Sequence, residues 1–189
     1  MLLDILPFAH NLLRQHIQAG DCVLDGTAGN GFDTQFLAEC VGKTGKVFAF
    51  DIQEVALQNT AKRLAEQHLN DRVELILAGH ERLDTFITEP LDAALFNFGY
   101  LPQGDKTITT LPETSLIAIK KTLQQLKNNG LLVAVIYHGH ETGKHEKDAL
   151  LSYAATLNCQ QYKVAQYTWL NRPHCPPIVL AIEKRFQAA

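Results

Sequence analysis

Apolar positions along the chain change period repeatedly, and each change marks an element. Over 7–19, Phe8, Leu12, Leu13, His16 and Ile17 fall on one side of a helix that Gly20 stops. Cys22-Val23-Leu24 is a short apolar run closed by Asp25, which predicts a strand at 22–25. A glycine-rich turn follows, then a helix over about 32–41 with Phe36, Leu37, Cys40 and Val41 on one face. The turn 42–45 leads to a second strand, 46–51, ending in Asp51. A helix over about 53–69 carries Leu57, Ala61, Leu64 and His68 at helical spacing and breaks at Asn70-Asp71. A third strand at 73–77, a loop at 78–80 and a short helix at 81–88 precede Pro90. The fourth strand, 91–96, ends at Asn97.

Residues 98–111 lack periodicity and contain Gly99, Pro102 and Gly104, so they read as a long functional loop. Pro112 opens a helix over about 112–128, with Leu116, Ile119, Leu123 and Leu126 inward and Asn128-Asn129-Gly130 as its end. The unbroken apolar run 131–137 suits the centre of a parallel sheet. A polar segment, 138–146, leads to a helix carrying Leu150, Ala154 and Leu157. Strands at 162–169 and 178–183 close the chain. Their connection, 171–177, is too short for a crossover helix, so this last pair is antiparallel.

The strand–turn–helix unit around Asp25-Gly26-Thr27-Ala28-Gly29-Asn30-Gly31 is the organising feature. Its glycines let backbone approach a ligand closely, and Asp51, 20 residues after Gly31, stands where a nucleotide-binding fold places its ribose acceptor. A dinucleotide turn wants G-x-G-x-x-G around a pyrophosphate. Here an acid at the strand end would repel pyrophosphate and suits an ammonium group. The arrangement resembles the first motif of class I S-adenosylmethionine (SAM) methyltransferases, and a nicotinamide enzyme is a distant alternative. The fold class implied is α/β: a Rossmann-like, seven-stranded, mostly parallel sheet in the order 3-2-1-4-5-7-6, with helices on both faces. Ligands of open parallel sheets sit beyond the carboxyl ends of the strands. Loops 26–31, 51–53, 78–80, 97–106, 138–146 and 170–177 are therefore expected on one face.

Composition narrows the class. At 189 residues, 46% hydrophobic and 20% charged, the chain reads as a single domain, which the resemblance above makes a methyltransferase domain with a leading helix at 1–20 and the core at 21–185. No apolar run approaches the ~20 residues of a membrane span. The N-terminus has neither a basic region nor a small-residue cleavage site, which predicts no secretory signal. Cys22, Cys40, Cys159 and Cys175 form no C-x-x-C pair and are expected as reduced, mostly buried thiols in a cytoplasm. A net charge of −3 argues against a strong sequence-independent polyanion binder, while leaving room for a small RNA footprint.

Chemistry concentrates after the fourth strand. Asn97-Phe98-Gly99-Tyr100 stands where amino-group methyltransferases carry an N-P-P-Y-like motif. An amine nucleophile must approach the sulfonium methyl in line and as the neutral base. An Asn oxygen with neighbouring carbonyls can aim its lone pair, and Tyr100 can stack on a flat base. Asp105 can accept a proton from an ammonium substrate or simply pair with Lys106 in solvent. His138, His140 and His145 lack a matching Cys or carboxylate set, so no metal is expected. They read as pocket or phosphate contacts. His80 is placed for the adenine edge or a loop-structural role, and Arg172 and His174 for a phosphate or base contact or an idle rim. Trp169 and Tyr167 read as core.

The segments 25–31 with Asp33-Thr34, 50–53, 79–81, 96–102 with 104–106, 136–140, and Leu170-Asn171 with His174 together resemble one family. It is the small bacterial family long labelled rRNA methylases and now understood as tRNA methyltransferases acting on the wobble uridine. Phe32 and Gly26-Thr27 depart from residues that relatives carry, as does the spacing at Arg172-Pro173. The resemblance implies SAM as cofactor, held by Asp25, Thr27, Gly29, Asn30, Gly31, Asp33, Thr34, Asp51, Gln53, Gly79, His80 and Asn97. Asp25 and the Gly29/Gly31 turn would take the methionine end, and Asp51 and Gln53 the ribose and adenine side. Asn97, Tyr100 and Asp105 would be catalytic, with Tyr100, Lys106, His138, His140, Arg172 and His174 on the substrate. It implies the 5-aminomethyl group of wobble uridine 34 as substrate, the tRNA anticodon region as partner, and a homodimer. Two other readings remain: SAM-dependent methylation of rRNA or a small amine, and a SAM-binding, non-catalytic RNA-interaction module.

Overall fold

The structure is a computed structural model and describes residues 1–101 and 108–185. In chain order the elements are α1 Ile5–His16, β1 Cys22–Asp25, α2 Phe32–Val41, β2 Lys46–Asp51, α3 Glu54–Glu66, β3 Val73–Leu77, α4 Leu83–Phe86, β4 Leu91–Phe98, α5 Pro112–Gln125, β5 Leu126–Ile136, α6 Glu141–Ala155, β6 Tyr162–Tyr167 and β7 Ile178–Lys184. Seven strands form one sheet in the order β3-β2-β1-β4-β5-β7-β6. The first five strands pair in parallel, and β7 runs antiparallel to both β5 and β6. Order and direction are those expected from the alternation of elements.

Alternate residues of a strand face opposite sides, and the core divides accordingly. Leu24, Phe48, Phe50, Phe96, Phe98 and Leu132 face the layer that α4, α5 and α6 cover. Val23, Val47, Leu95, Val133 and Val135 face α1 and α2. The central strands are buried on both sides, which is why they read as continuous apolar runs.

Several boundaries differ from the sequence expectations, each for a local reason. The buried stripe of α1 is Ile5, Ala9 and Leu13, with Ile17 just beyond, whereas Phe8, Leu12 and His16 sit at its half-buried margin. The helix ahead of Pro90 shrinks to a 3-10 turn at His80–Arg82 and the four-residue α4. Helix α5 stops at Gln125, because Leu126 already pairs with Leu91 on β4. The register then skips to Ala93 opposite Leu131, and Asn129 takes a positive φ of 64° in the irregularity. Strand β4 continues past Asn97 to Phe98, since both residues still pair with β5. Helix α6 begins at Glu141, because the His140 side chain caps it by accepting the Gly143 N–H at 3.1 Å. Strand β6 ends at Tyr167, leaving Trp169 in the loop packed edge-on against Tyr167. Of the cysteines, Cys22 and Cys40 are half-buried, but Cys159 and Cys175 are exposed. All four are free thiols, and short loops put the latter two at the surface.

Among the described residues no helix is long and apolar enough to cross a membrane, and no three His, Cys, Asp or Glu are placed to hold a metal.

Candidate active site

The carboxyl ends of β1, β2, β3 and β4 open onto one cavity of about 950 Å3. That lies at the upper end of small-molecule sites, ample for a nucleoside-sized ligand with room beside it. Its walls come from 26–30, 32–33, 50–53, 78–81, 97, 99–101 and 108–111, with Leu6 and His10 of α1, Thr114 of α5 and Tyr137 after β5. Loop 170–177 lies at the same end of the sheet, because Ile178 pairs with Ile136, but it contributes nothing to this lining.

The first turn is tightly determined. Asp25 is fully buried, its Oδ1 accepting the Thr27 N–H at 3.0 Å and its Oδ2 the Thr34 hydroxyl at 2.6 Å. Burial, with help from the neighbouring Asp33 carboxylate, pushes its pKa up to about 7. Gly29 and Gly31 have φ of 53° and 81°, a region where an L side chain is strained. A Cβ on Gly31 would stand 2.8 Å from the Cα of Thr60. Asp25, Gly31 and Thr34 thus lie behind the wall and shape it, while Thr27, Gly29, Asn30 and Asp33 line it.

At the end of β2, Asp51 accepts the Gly29 N–H and the Gln53 N–H, each at 2.9 Å. A carboxylate has about four acceptor sites, so two remain for a ligand's hydroxyls. On the β3 side, Gly79 and His80 line the cavity. The His80 Nδ1 lies 3.1 Å from the Gly26 carbonyl, which can only accept, so Nδ1 carries the proton. Burial pushes the His80 pKa down and keeps the ring neutral. Its Nε2 is therefore a lone-pair acceptor, buried and, among the described residues, without a donor. That orphaned atom fits the exocyclic amino group of an adenine.

After β4, the Thr27 hydroxyl accepts the backbone N–H of Asn97 at 2.7 Å, tying the first turn to the fourth strand. The Asn97 Nδ2 donates to Asp33 Oδ2 at 3.0 Å, which leaves its Oδ1 as a buried acceptor with no partner among the described residues. The other Asp33 oxygen meets His10 Nε2 at 2.7 Å. Tyr100 is exposed at the rim, bridged to Thr109, with its ring edge-on to His140 at 5.9 Å. Tyr137 also lines the wall, and burial beside Asp33 pushes its pKa up, so its phenol stays a donor.

The remaining candidates are more scattered. Asp105 and Lys106 lie outside the described residues. Neither His138 nor His140 lines the cavity, and His140 serves as the α6 cap. Arg172 meets Asp4 at 3.1 Å and covers the Trp169 ring at 4.6 Å, away from the cavity. His174 is exposed in the same loop, at a φ of 67°. Residues that sequence reasoning did not single out are His10 and Tyr137, whereas the 108–111 segment belongs to the loop it read as functional. The one available signal was the i, i+4 spacing of Leu6 and His10, both of which line the cavity.

Asp33, Asp51 and Glu81 line this cavity with Asp25 behind, and none of its described lining residues is Lys or Arg. Such a donor set fits a cationic nucleoside and disfavours a pyrophosphate.

The family described as "Putative rRNA methylase" matches residues 47–183. The "tRNA (mnm(5)s(2)U34)-methyltransferase, chloroplastic" of Arabidopsis thaliana is 34% identical over 187 residues, covering 93% of this chain and 68% of the plant protein. A crystal structure from Clostridium thermocellum, described as a "putative rRNA-methylase", is 41% identical, with a TM-score of 0.96 over 97% of this chain and 99% of that one. A "putative methyltransferase" from Streptococcus mutans, solved in complex with SAH, is 39% identical with a TM-score of 0.90 and the same coverage. Matched over most of its length in sequence and almost all of it in fold, the chain belongs to the rRNA methylase family of SAM-dependent methyltransferases.

Proposed function

We propose that this chain methylates the primary amine of 5-aminomethyluridine, with or without the 2-thio group, at the wobble position of tRNA, giving the methylaminomethyl form. The observation that carries the reading is the acidic cavity running from the Asp51 end to the mouth at Asn97 and Tyr100, in a chain 34% identical to the plant enzyme named above. SAM, when bound, supplies an electrophilic methyl on a sulfonium. Asp51 would take its ribose hydroxyls, His80 Nε2 its adenine amino group, and the Thr27–Asn30 turn with Asp33 its methionine end.

The chain's own groups then position the amine. Asp33 accepts from the Asn97 Nδ2 and so leaves Oδ1 as the open acceptor. An N–H of the amine is the donor this acceptor lacks, and pairing with it turns the nitrogen lone pair toward the methyl. Thr27 pins the Asn97 backbone, so the acceptor cannot drift. Tyr100 at the rim offers a face for a flat base. Holding reactants in line this way is worth several kcal/mol of barrier, on the order of 7 or more in favourable cases. The enzyme works as a homodimer with the anticodon region as its partner in this reading, and its compartment is the cytoplasm.

The test is nucleoside mass spectrometry of tRNA from a deletion strain, which should accumulate 5-aminomethyl nucleosides. Parallel incubations of labelled SAM with purified tRNA, rRNA and small amines should label tRNA alone. Unchanged nucleosides, or label in rRNA, would remove the substrate assignment.

A further inference from the structure

We propose that His10 is the proton acceptor for the substrate amine, through its Nδ1, with Asp33 orienting the ring. The proposal rests on the amine-methylating reading above and adds the group that makes the amine reactive. A primary alkyl amine is largely protonated at neutral pH, like a lysine, and an ammonium has no lone pair to attack with.

Three elements converge on one hydrogen-bonded chain. His10 comes from α1, Asp33 from the first turn of α2 and Asn97 from the end of β4. His10 Nε2 lies 2.7 Å from Asp33 Oδ1, and Asn97 Nδ2 lies 3.0 Å from Asp33 Oδ2. A carboxylate accepts only, so the His10 proton sits on Nε2 and Nδ1 keeps the lone pair of the neutral ring. Nδ1 makes no hydrogen bond among the described residues, and His10 lines the cavity. The ring is stacked on Phe36, centroids 4.1 Å apart and 8° from parallel, so it cannot swing freely. A base, its orienting carboxylate and a substrate-facing acceptor on the same carboxylate form the arrangement by which imidazoles move protons in other enzymes. Of the charged and titratable groups here, Asp33 on α2 pairs with His10 directly, Asp25 on β1 and Tyr137 beyond β5 lie within electrostatic reach of Asp33, and the Arg14 guanidinium on α1 covers Phe36, the ring under His10, at 5.0 Å.

The step balances. The amine arrives as R–CH2–NH3+, and Nδ1 takes one proton, leaving R–CH2–NH2 and an imidazolium paired with Asp33. The nitrogen lone pair forms the N–C bond as the S–C bond breaks and its electrons return to sulfur. The products are R–CH2–NH2+–CH3 and a neutral thioether, and the imidazolium gives its proton to water.

His10→Gln keeps a donor for Asp33 but cannot take a proton at neutral pH. Methyl transfer to tRNA carrying 5-aminomethyluridine, measured from pH 6 to 9.5 at saturating SAM, should fall about 100-fold in kcat at pH 7. The deficit should narrow as pH rises and the amine arrives neutral, while SAM affinity by calorimetry stays within about three-fold. His10→Ala should regain activity with added imidazole. A variant whose pH profile parallels wild type, or a loss wholly accounted for by weaker SAM binding, overturns the proposal and makes His10 a cofactor contact. Wild-type protein that methylates no amine at any pH overturns the functional reading itself, and the two failures are separated by which protein is silent.

Discussion

Asp25 is the group at which stability and ligand affinity should move in opposite directions. Its carboxyl is pushed from an ordinary 3.8 to about 7 by burial and the nearby Asp33 carboxylate. The folded state therefore holds this proton more tightly than the unfolded chain. The resulting stabilisation is fully present below about pH 3.8 and is lost as pH rises through about 7. A shift of that size corresponds to about 4 kcal/mol in all, of which roughly 2–3 kcal/mol falls between pH 5 and 8. Asp25→Asn has the same shape, keeps an oxygen for the Thr27 N–H and never ionises. In paired urea or thermal melts, the variant should gain about 2–3 kcal/mol relative to wild type on going from pH 5 to pH 8, some 5–10 °C in Tm. Binding runs the other way. A cation in the cavity favours ionised Asp25, so wild-type SAM affinity should rise through pH 7 with proton release, measurable by calorimetry in buffers of different ionisation enthalpy. The variant should bind roughly ten-fold more weakly at pH 8, with a flat pH dependence. A stability gap that stays constant from pH 5 to 8 would refute the burial argument.

Three other perturbations follow from the geometry. Gly31→Ala forces an L residue to a φ of 81° and drives its Cβ to 2.8 Å from the Thr60 backbone, so about 2 kcal/mol or more of stability and most SAM binding should go, read by melts and calorimetry. Asn97→Ala should lower kcat about 100-fold at saturating SAM with SAM affinity changed only a few-fold; an equal loss in affinity would make Asn97 chiefly a cofactor residue. Glu146 is buried and accepts the Ser115 hydroxyl at 2.6 Å and the Thr110 hydroxyl at 2.9 Å, so Glu146→Ala should cost about 2–4 kcal/mol in a urea melt by stranding both donors.

Much of the fold was legible because it depends on local periodicity. Strands β1, β2 and β3 and helix α2 fall where the apolar runs and the glycine turn put them, since each is bounded by residues that cannot continue it. The end of α5 was not legible. Leu126 fits the helical stripe as well as it fits a strand, and only its pairing with Leu91, a residue 35 positions earlier, decides between them. The extension of β4 through Phe98 has the same origin, because Phe98 stacks on Phe96 with centroids 5.2 Å apart and pairs with Ile136.

The site divides along the same line. The spacing of Asp25, Gly29, Gly31 and Asp51 is a property of one strand–turn–helix–strand unit, so order along the chain was enough to bring them together. The sequence likewise placed Asn97 at the end of the fourth strand, where parallel order carries it to the same mouth. What side chains do once there depends on partners distant in sequence. Asp25 withdraws behind the wall because the Thr27 N–H and the Thr34 hydroxyl hold both its oxygens. His80 presents a bare nitrogen because the Gly26 carbonyl, 54 positions away, fixes its tautomer. His10 enters the site because α1 packs beside α2, and its bond to Asp33 spans 23 positions. Periodicity reports which face of an element is buried, whereas hydrogen-bond direction, tautomer and protonation depend on what the fold places opposite each atom.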